Sequence, residues 1–551
     1  MRRLAGLLVV AVLAAGLGGC KPRAPIRPAC PAGQLCLELG NGSEPVSLDP
    51  PKTTGTWEDR IMGDTTIGLT QNDPEGRAVP GMAKSWEVTP DGLVWTFHLR
   101  DALWSDGVPV TARDFVFALR RLMDPKTASE YAYLLYFIKG AEAVNAGKAP
   151  LTALGAEAVD DHTLRLTLNH PAPYLPEIAK HQTFYPEPEH VVAKWGDAWS
   201  RPEHYVSNGP YKLTHWGFGE KITVVKNPLF YDAKSVCIDQ ISYYPSTDAI
   251  SAERRVRRGE LDINSDIQSN RIAYLRQPDQ IPAYVHTHTY LGIAYLAFNT
   301  RDVAAFKDKR VRVALSMAID RDFITKKLLR GGQVPAYNFT PPDVANYRNP
   351  PPPVWASWTF ARRQAAARAL LAEAGYGAGH PLKVEIKHRN SPDPTLFMSA
   401  VQSDWKQIGV NATLAQEDVQ IAYQDYRQRD FQVADAAWIA DFNDAMSFLG
   451  LQQSQTGAQN YGDYKNPAYD DLLAKADNEP DAGKRAGYLA KAEAMMVADA
   501  PVAPVYFYVT KNLVNPNVTG FVDNAVDWHR SRFLCLRGHS AATTPSDGSL
   551  R

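Results

Sequence analysis

The chain carries almost no net charge. Among its 551 residues, Lys and Arg number 59 and Asp and Glu number 60, which gives a formal net charge of -1. A protein that binds nucleic acid through bulk charge needs a strong positive excess, so the composition argues against that class. Hydrophobic residues at 45% and charged residues at 22% are ordinary for globular proteins. The composition therefore excludes a chain that is disordered over most of its length.

Beyond the first twenty residues, the chain also lacks any apolar segment of the length that spans a bilayer, about 20 residues. The uncharged stretch 4–19 follows Arg2 and Arg3 and is typical of an export signal. We predict a signal peptide over 1–19, whose removal takes the formal net charge to -3. The stretch ends in Leu-Gly-Gly-Cys, which resembles the bacterial lipobox, in which the cysteine is acylated. Cys20 is therefore the predicted lipid anchor, and an ordinary cleaved signal with a chance cysteine is the alternative.

Cysteine is scarce, with five residues in all. Apart from Cys20, the four that remain are Cys30, Cys36, Cys237 and Cys535. Four cysteines in an exported chain are expected to pair, and they allow three connectivities. Cys30 and Cys36 could close a small loop, or could tie the N-terminal segment to Cys237 or Cys535.

Sequence motifs of common enzyme classes are absent. There is no GxSxG elbow, no phosphate-binding loop, no HExxH and no dinucleotide fingerprint. His286 and His288 alternate in a strand-like stretch, but no third ligand is visible, so we interpret them as surface residues. We predict no catalytic residue, no metal and no cofactor. An exported ligand-binding protein is the leading hypothesis, and an exported hydrolase is the alternative.

Strand and helix patterns alternate along the chain, which predicts an α/β fold. A capping box at Thr111 and Asp114 opens a predicted helix. Two further predicted helices cover 309–320 and 361–374, and a helix rich in Ser399, Val401 and Trp405 separates two strands. The predicted strands are 94–99, 163–168, 222–225, 384–386 and 410–414.

Several runs resemble the periplasmic oligopeptide-binding proteins of ABC importers, solute-binding protein family 5. The strongest begins WSDGVPVTARDF at Trp104 and continues through DPKTAS to the YAY at 131–133. The resemblance runs in order from about residue 41 to about 533. The other runs are PGMA at 80–83, NGPY at 208–211, VRVAL at 311–315, WIADFND at 438–444 and 501–508.

The resemblance implies a two-lobe periplasmic-binding-protein fold (type II, cluster C) with an extra domain inserted in the first lobe. Two crossings near residues 290 and 508 would form a hinge. The implied units are a lipidated tether at 20–40, lobe I at 41–66 with 191–290 and 509–538, the extra domain at 67–190, lobe II at 291–508 and a disordered tail at 539–551.

The resemblance also implies a ligand site around Asp441. In the family, the Asp of this Trp-x-Ala-Asp motif pairs with the free α-ammonium of a peptide. Trp438 would wall a side-chain pocket, and the backbone of Ile439 and Ala440 would extend the peptide as an added strand. Tyr131 matches a ligand-contacting family tyrosine, and a core tyrosine is its alternative interpretation. The remaining implied ligand contacts are Thr54, Thr56, Val419, Asn443 and Tyr508.

Four positions depart from the family pattern. Thr54 stands where well-known members have a glutamate that supports the ammonium site, and Val419 stands at an aromatic wall position. Asp435 and Pro394 stand where members have an Arg and a His that meet peptide carboxyl ends. We therefore expect the amino-end anchor to be kept and these carboxyl-end anchors to be lost, so that the ligand is a peptide of different length or a modified peptide.

The implied function is capture of oligopeptides and delivery to the membrane subunits of an ABC permease. The protein would be a monomeric, non-enzymatic, membrane-anchored lipoprotein of the periplasm or extracytoplasmic face, with no nucleic-acid partner. A murein peptide or metal chelate as ligand is the alternative on the same fold. A chaperone or adhesin role is a further alternative.

Overall fold

The computed structural model describes residues 30–539. The predicted signal peptide and residues 20–29 of the predicted tether, including Cys20, therefore lie outside the described residues, as do residues 540–551 of the predicted tail. None of the helices within 30–539 combines the length and apolar character that crossing a bilayer requires.

The strands are short, and most have between two and seven residues. They are β1 Cys36–Gly42, β2 Thr70–Asn72, β3 Ala78–Pro80, β4 Ala83–Val88, β5 Val94–Leu99, β6 Ala156–Asp160, β7 Thr163–Thr167, β8 Tyr211–Gly217, β9 Lys221–Lys226, β10 Gln240–Pro245, β11 Ile263–Asn264, β12 Val285–His286, β13 Thr289–Phe298, β14 Val334–Pro335, β15 Lys383–Arg389, β16 Asn411–Glu417, β17 Val433–Ile439, β18 Val502–Val509, β19 Asn512–Val514, β20 Val518–Thr519 and β21 Cys535–Leu536.

The α-helices are interspersed among these strands. They are α1 Thr56–Thr65, α2 Ala112–Met123, α3 Ala141–Asn145, α4 Leu175–Ile178, α5 Glu189–Trp195, α6 Ala249–Arg257, α7 Ser269–Leu275, α8 Lys309–Met317, α9 Arg321–Phe323, α10 Phe360–Glu373, α11 Pro392–Gln407, α12 Val419–Gln428, α13 Met446–Leu449, α14 Pro467–Asp477 and α15 Ala482–Asp499.

Three larger sheets organise the described residues, beside two small two-stranded sheets, β2-β3 and β20-β21. The first has seven strands in the order β12-β19-β11-β1-β10-β9-β8, and the second has six in the order β14-β18-β13-β17-β15-β16. The third has four antiparallel strands, β4-β5-β7-β6, all between residues 83 and 167. These sheets and their covering helices confirm the predicted α/β class. The bounds given for the two lobes and the extra domain stay predictions.

Strand β13 is the central strand of the second sheet, between β18 and β17. Its alternate residues serve two cores: Leu296 and Phe298 pack with α8, α10 and α11, whereas Ile293 and Tyr295 pack with α12, α14 and α15. Because helices cover both faces, β13 is apolar on both sides from Leu291 onward rather than alternating with polar residues.

The nine elements predicted from local patterns are present, although they are a minority of the strands and helices in the structure. The predicted strand at 94–99 is β5, and the capping box at α2 is present, with the Thr111 N–H donating to Asp114 Oδ2 at 2.8 Å. The predicted helix 309–320 is too long, because α8 ends at Met317. Asp320 instead caps the next helical turn, where its Oδ1 accepts a hydrogen bond from the Phe323 N–H at 3.1 Å.

The predicted tether reaches too far into the chain. Residues 36–40 form part of β1, which pairs with β10 and β11 in the first sheet. Leu37 and Leu39 are buried there, and burial of these side chains favours the strand over a mobile segment. The described part of any tether is therefore confined to residues 30–35.

The four described cysteines form two disulfide bonds, Cys30–Cys36 and Cys237–Cys535. The first closes the small loop that the sequence allowed. The second joins residues 298 positions apart and ties β21 to the loop before β10. It therefore anchors the C-terminal segment to the first sheet.

The chain passes between the first and second sheets at two adjacent points. One crossing joins β12 to β13, and the other joins β18 to β19. The two crossings are bonded to each other, because the His288 N–H donates to Thr510 Oγ1 at 2.9 Å and the Thr510 N–H donates to the His288 carbonyl at 2.8 Å. Two short connections side by side are the geometry of a hinge. His286, expected at the surface, is half-buried here and pairs with Asp523 at 3.2 Å.

Candidate functional site: a cleft beside the hinge

A cavity of about 780 Å³ lies where the two large sheets face each other next to the hinge. Residues of α1, the loop after β11, β17 and the end of β18 contribute to its walls. A smaller cavity of about 200 Å³ adjoins it and shares Thr54, Tyr131 and Asp441. A cleft walled by two lobes, with a perturbed carboxylate in its lining, is the strongest candidate for a binding site.

Asp441 lies in this cleft two residues beyond the end of β17. Among the described residues, its carboxylate has one side-chain hydrogen-bond partner, the Tyr133 hydroxyl, which donates to Oδ2 at 3.1 Å. No cation lies within ion-pair distance of it in the described part of the chain. Burial therefore raises the pKa of the Asp441 carboxyl to about 7, and the Tyr133 hydrogen bond only partly opposes this effect. A ligand cation would supply the charge that the protein does not.

The turn after Asp441 holds it in place. The Asp441 N–H donates to Ser447 Oγ at 3.2 Å. Asp444 caps α13 through the Met446 N–H at 2.8 Å and forms a buried, two-bond ion pair with Arg485 of α15, at 2.7 and 2.9 Å. These contacts fix the backbone on both sides of the carboxylate, so its direction depends little on the ligand.

Most of the residues predicted for the site meet at the cleft. Six line the main cavity with Asp441, and they are Thr54, Thr56, Tyr131, Trp438, Ile439 and Tyr508. Ala440 and Asn443 line the smaller cavity. Val419 lines neither, because it is the first residue of α12 and lies half-buried at its start. The assignment of Val419 as a ligand contact is therefore not supported by its position.

Two tyrosines approach Asp441 at a short 3₁₀ turn, Ala132–Leu135: Tyr131 immediately precedes the turn and Tyr133 lies within it. The Tyr131 hydroxyl donates to the Thr54 carbonyl at 3.4 Å, and its ring lies 6.3 Å from that of Tyr133. Burial, followed by the negative charge of Asp441, raises the pKa of both phenols well above their ordinary value. Both hydroxyls therefore stay protonated at neutral pH and can donate hydrogen bonds.

One edge of β17 is open where it faces the cleft. On its other edge, β17 pairs with β13 through Ile439, and the Ala440 N–H donates to the Leu291 carbonyl at 2.8 Å. It pairs with β15 only through Val433 and Ala434. Because backbone groups alternate along a strand, Ile439 and Ala437 direct their N–H groups to the open edge, whereas that of Ala440 is already used. An added strand would therefore pair with Ala437 and Ile439 rather than with the Ala440 N–H.

The two positions that lack carboxyl-end anchors are both buried. Asp435 is 0% exposed and forms a two-bond ion pair with Arg389 of β15, at 2.8 and 3.1 Å. Pro394 is buried in α11. Neither lines the cleft, but cations from other positions do, since Arg389 and Arg427 lie among its walls. The cleft is therefore not devoid of positive charge at a distance from Asp441.

Tyr133 and Arg389 are two of the cleft residues that were not predicted from the sequence. Tyr133 is two positions from Tyr131 in the same quoted run, and only its contact with Asp441, 308 residues away, reveals its role. Arg389 ends a strand that was predicted, but its pairing with Asp435 joins two strands that are 46 residues apart. Neither contact leaves a local pattern in the sequence.

Thr54, Thr56 and Asn443 have different environments. Thr54 and Thr56 are exposed at the start of α1, and Thr54 brings no carboxylate to the site. Asn443 uses its Oδ1 to accept a hydrogen bond from the Ala345 N–H at 2.8 Å, which is a structural contact within the second lobe. Among residues 30–539, no group of three His, Cys, Asp or Glu side chains could hold a metal ion.

Comparison with known proteins identifies a family model and relatives that match this chain over most of its length. The family model described as "Bacterial extracellular solute-binding proteins, family 5 Middle" matches residues 77–460. The chain is 40% identical over 496 residues to the periplasmic oligopeptide-binding protein OppA of Salmonella typhimurium, covering 89% of this chain and 90% of that protein. It is 36% identical over 501 residues to the periplasmic murein peptide-binding protein MppA of Escherichia coli, covering 90% and 92%.

The fold agrees as well. The structure of Burkholderia pseudomallei OppA superposes with a TM-score of 0.79 at 35% identity, and the match covers 92% of this chain and 99% of that chain. The predicted two-lobe binding-protein fold is confirmed by this likeness.

Proposed function

Because this chain belongs to family 5 of the bacterial extracellular solute-binding proteins, we propose that it captures oligopeptides with a free amino end in the cleft and delivers them to an ABC permease. Proteins of this kind bind and release their ligand without transforming it, and the relatives support a non-enzymatic, periplasmic role for this chain. Acylation of Cys20 would hold the protein at the membrane.

The observation that carries this proposal is the uncompensated carboxylate of Asp441 in a cleft between two lobes. A carboxylate enclosed by protein without a cation is costly, and an α-ammonium supplies the missing charge. Nearby, the open edge at Ala437 and Ile439 offers backbone pairing, which is largely independent of ligand sequence. Together they support recognition of a peptide by its amino end and its main chain.

The test is calorimetry with two ligands that differ only at the amino end, trialanine and N-acetyl-trialanine. We expect the wild type to bind trialanine and to bind the acetylated peptide at least tenfold more weakly. Asp441→Asn should remove this preference, whereas Asp322→Asn, an exposed position on α9, should leave it unchanged. Equal affinity of the wild type for both ligands contradicts the ammonium-site proposal.

A modified peptide, such as a murein fragment, is the second candidate. The replacement of the expected carboxyl-end anchors by the buried Asp435 and Pro394 favours it, since these positions cannot meet a ligand carboxylate. The likeness to MppA is consistent with it. Native mass spectrometry of the protein purified from its source distinguishes the two, because uniform unmodified tri- and tetrapeptides would exclude the modified ligand.

The lipid anchor needs its own experiment. Metabolic labelling with palmitate, followed by fractionation, should find the label in the wild type and the protein with the membranes. Cys20→Ala should lose the label and appear in the soluble fraction. Labelled Cys20→Ala protein would contradict acylation at this residue.

A further inference from the structure

The hydrogen bond between Tyr133 and Asp441 joins two parts of the molecule that are distant in sequence. Tyr133 belongs to the segment that precedes the third sheet's strand β6, whereas Asp441 follows β17 of the second sheet. The Tyr133 side chain remains 42% exposed, so the cleft is accessible around it. The contact therefore spans the mouth of the cleft rather than a packed core.

A second contact from the same part of the chain supports the segment that carries Asp441. The ring of Tyr174 stacks on that of Phe442 with centroids 5.1 Å apart, and the Arg485 guanidinium lies 5.3 Å from the Tyr174 ring. Arg485 is the same residue that holds Asp444. Tyr133 thus contacts the first residue of the turn 441–444, and Tyr174 contacts the second.

We propose that Tyr133 is a further specificity-determining residue of the ammonium site: its hydroxyl, brought across the cleft, orients the Asp441 carboxylate so that a ligand amino end is bound strongly only when this contact is made. The inference rests on the proposed function. Asp441 Oδ2 accepts the hydrogen bond from the Tyr133 hydroxyl. Oδ1 accepts no hydrogen bond from the described residues, so it remains available to bind the ligand. A primary ammonium, with three donors, fits a carboxylate that is already fixed in direction.

The charge of the surroundings does not replace this contact. Apart from tyrosines, the other ionisable side chains that line the two cavities are Asp59, Arg60, Glu130, Lys180, His181, Asp266, Arg389, Arg427, Lys511, Asp527, His529 and Arg530. Arg530 is committed to Asp59 at 3.0 Å and Lys180 to Glu177 at 2.7 Å. None of these charges is a cause of the shifted pKa of Asp441, which burial raises and the Tyr133 hydrogen bond lowers, so Tyr133 is the group that stabilises the ionised form of Asp441.

The test compares two phenylalanine substitutions in the full chain. Tyr133→Phe removes only the hydroxyl that meets Asp441. Tyr136→Phe is the matched control, because Tyr136 adjoins the same 3₁₀ turn and its hydroxyl donates to Asn145 at 2.8 Å, away from the cleft. Hydrogen bonds to charged groups are worth enough to predict about tenfold weaker binding of trialanine by Tyr133→Phe. Tyr136→Phe should bind as the wild type does.

Two further readouts separate orientation of Asp441 from a general structural role. The pH at which trialanine binding is half lost should move upward in Tyr133→Phe and stay in place in Tyr136→Phe. In the Asp441→Asn background, Tyr133→Phe should cause no additional loss, since the pair acts as a unit.

The outcomes distinguish the two proposals. If the wild type prefers trialanine to N-acetyl-trialanine but Tyr133→Phe matches Tyr136→Phe in affinity and pH profile, the role of Tyr133 is overturned and the ammonium site stands. An additional loss in the Asp441→Asn background also overturns it. If the wild type shows no preference, the ammonium site itself is overturned.

Discussion

Replacing Asp441 by asparagine should stabilise the ligand-free protein while abolishing its preference for free amino ends. The carboxyl pKa is raised from 3.8 to about 7 by burial, so the folded state favours the neutral acid by about 4 kcal/mol relative to the unfolded chain. The residue is only half-buried, and water near the rim screens the charge. We therefore expect Asp441→Asn to raise the free energy of unfolding by about 2 kcal/mol at pH 8.5.

The direction of the pKa shift determines how the stability difference between Asp441→Asn and the wild type changes with pH. An acid whose pKa is raised on folding stabilises the folded state at low pH, and that contribution is lost as pH rises from about 4 to about 7. The advantage of Asp441→Asn should therefore be absent at pH 4, grow up to pH 7 and remain constant above it. For a chain of 551 residues, 2 kcal/mol corresponds to a rise in Tm of about 2 °C.

Differential scanning calorimetry of ligand-free protein at several pH values measures the effect. Asp435→Asn is the control, because Asp435 is also buried but pairs with Arg389. Removing one partner of a buried ion pair should destabilise the protein by about 3 kcal/mol, the opposite sign. The reasoning is refuted if Asp441→Asn is less stable than the wild type at pH 8.5, or if its advantage is as large at pH 4 as at pH 8.5.

Three other predictions follow from the same contacts. The free Asp441 carboxyl is mostly protonated below pH 7, and an ammonium ligand requires it to be ionised. Trialanine binding at pH 5.5 should therefore release close to one proton. The affinity for trialanine should fall about 30-fold from pH 7.5 to 5.5. Calorimetry in buffers of different ionisation enthalpy measures the number of protons released. Release of no proton contradicts the assignment of Asp441 as the ammonium site. Arg485→Ala leaves Asp444 buried without its partner, so it should lower the free energy of unfolding by about 3 kcal/mol and weaken trialanine binding; unchanged thermal stability contradicts this. Replacing Cys237 and Cys535 together by serine should cost about 2 to 4 kcal/mol of stability without changing trialanine affinity, because the disulfide lies outside the cleft lining; a large affinity change would show that the C-terminal segment contributes to the site.

Much of the fold could be predicted from local patterns, and the reason is that burial follows chain periodicity. The alternation at 94–99 and the capping box at Thr111 both report interactions between near neighbours, and both elements are present. The errors lie at boundaries: the tether that overlaps β1 and the helix that ends at Met317. There, sheet pairing and an additional cap decide the outcome, and neither is visible in the hydrophobic pattern.

The site was only partly predictable for the same reason. Asp441 and its neighbours were assigned through a resemblance, since an acidic residue after an apolar run is ambiguous by itself. Which disulfides form, and which hydroxyl meets Asp441, depend on residues that are hundreds of positions apart. Such contacts follow from the packing of whole sheets, so they become visible only in three dimensions.

The low net charge of the chain acquires a physical meaning from the cleft. A strong global field would favour peptides of one sign, whereas here the charged groups are largely paired locally, as with Arg389 and Asp435 or Arg485 and Asp444. Asp441, at the mouth of the cleft, is a half-buried carboxylate with no cation within ion-pair distance among the described residues. Under the proposed function, a ligand would be selected by one ammonium and by main-chain pairing at Ala437 and Ile439, while its side chains would meet a nearly neutral surround. This arrangement suits a protein that must accept peptides of many compositions and still reject molecules that lack a free amino end.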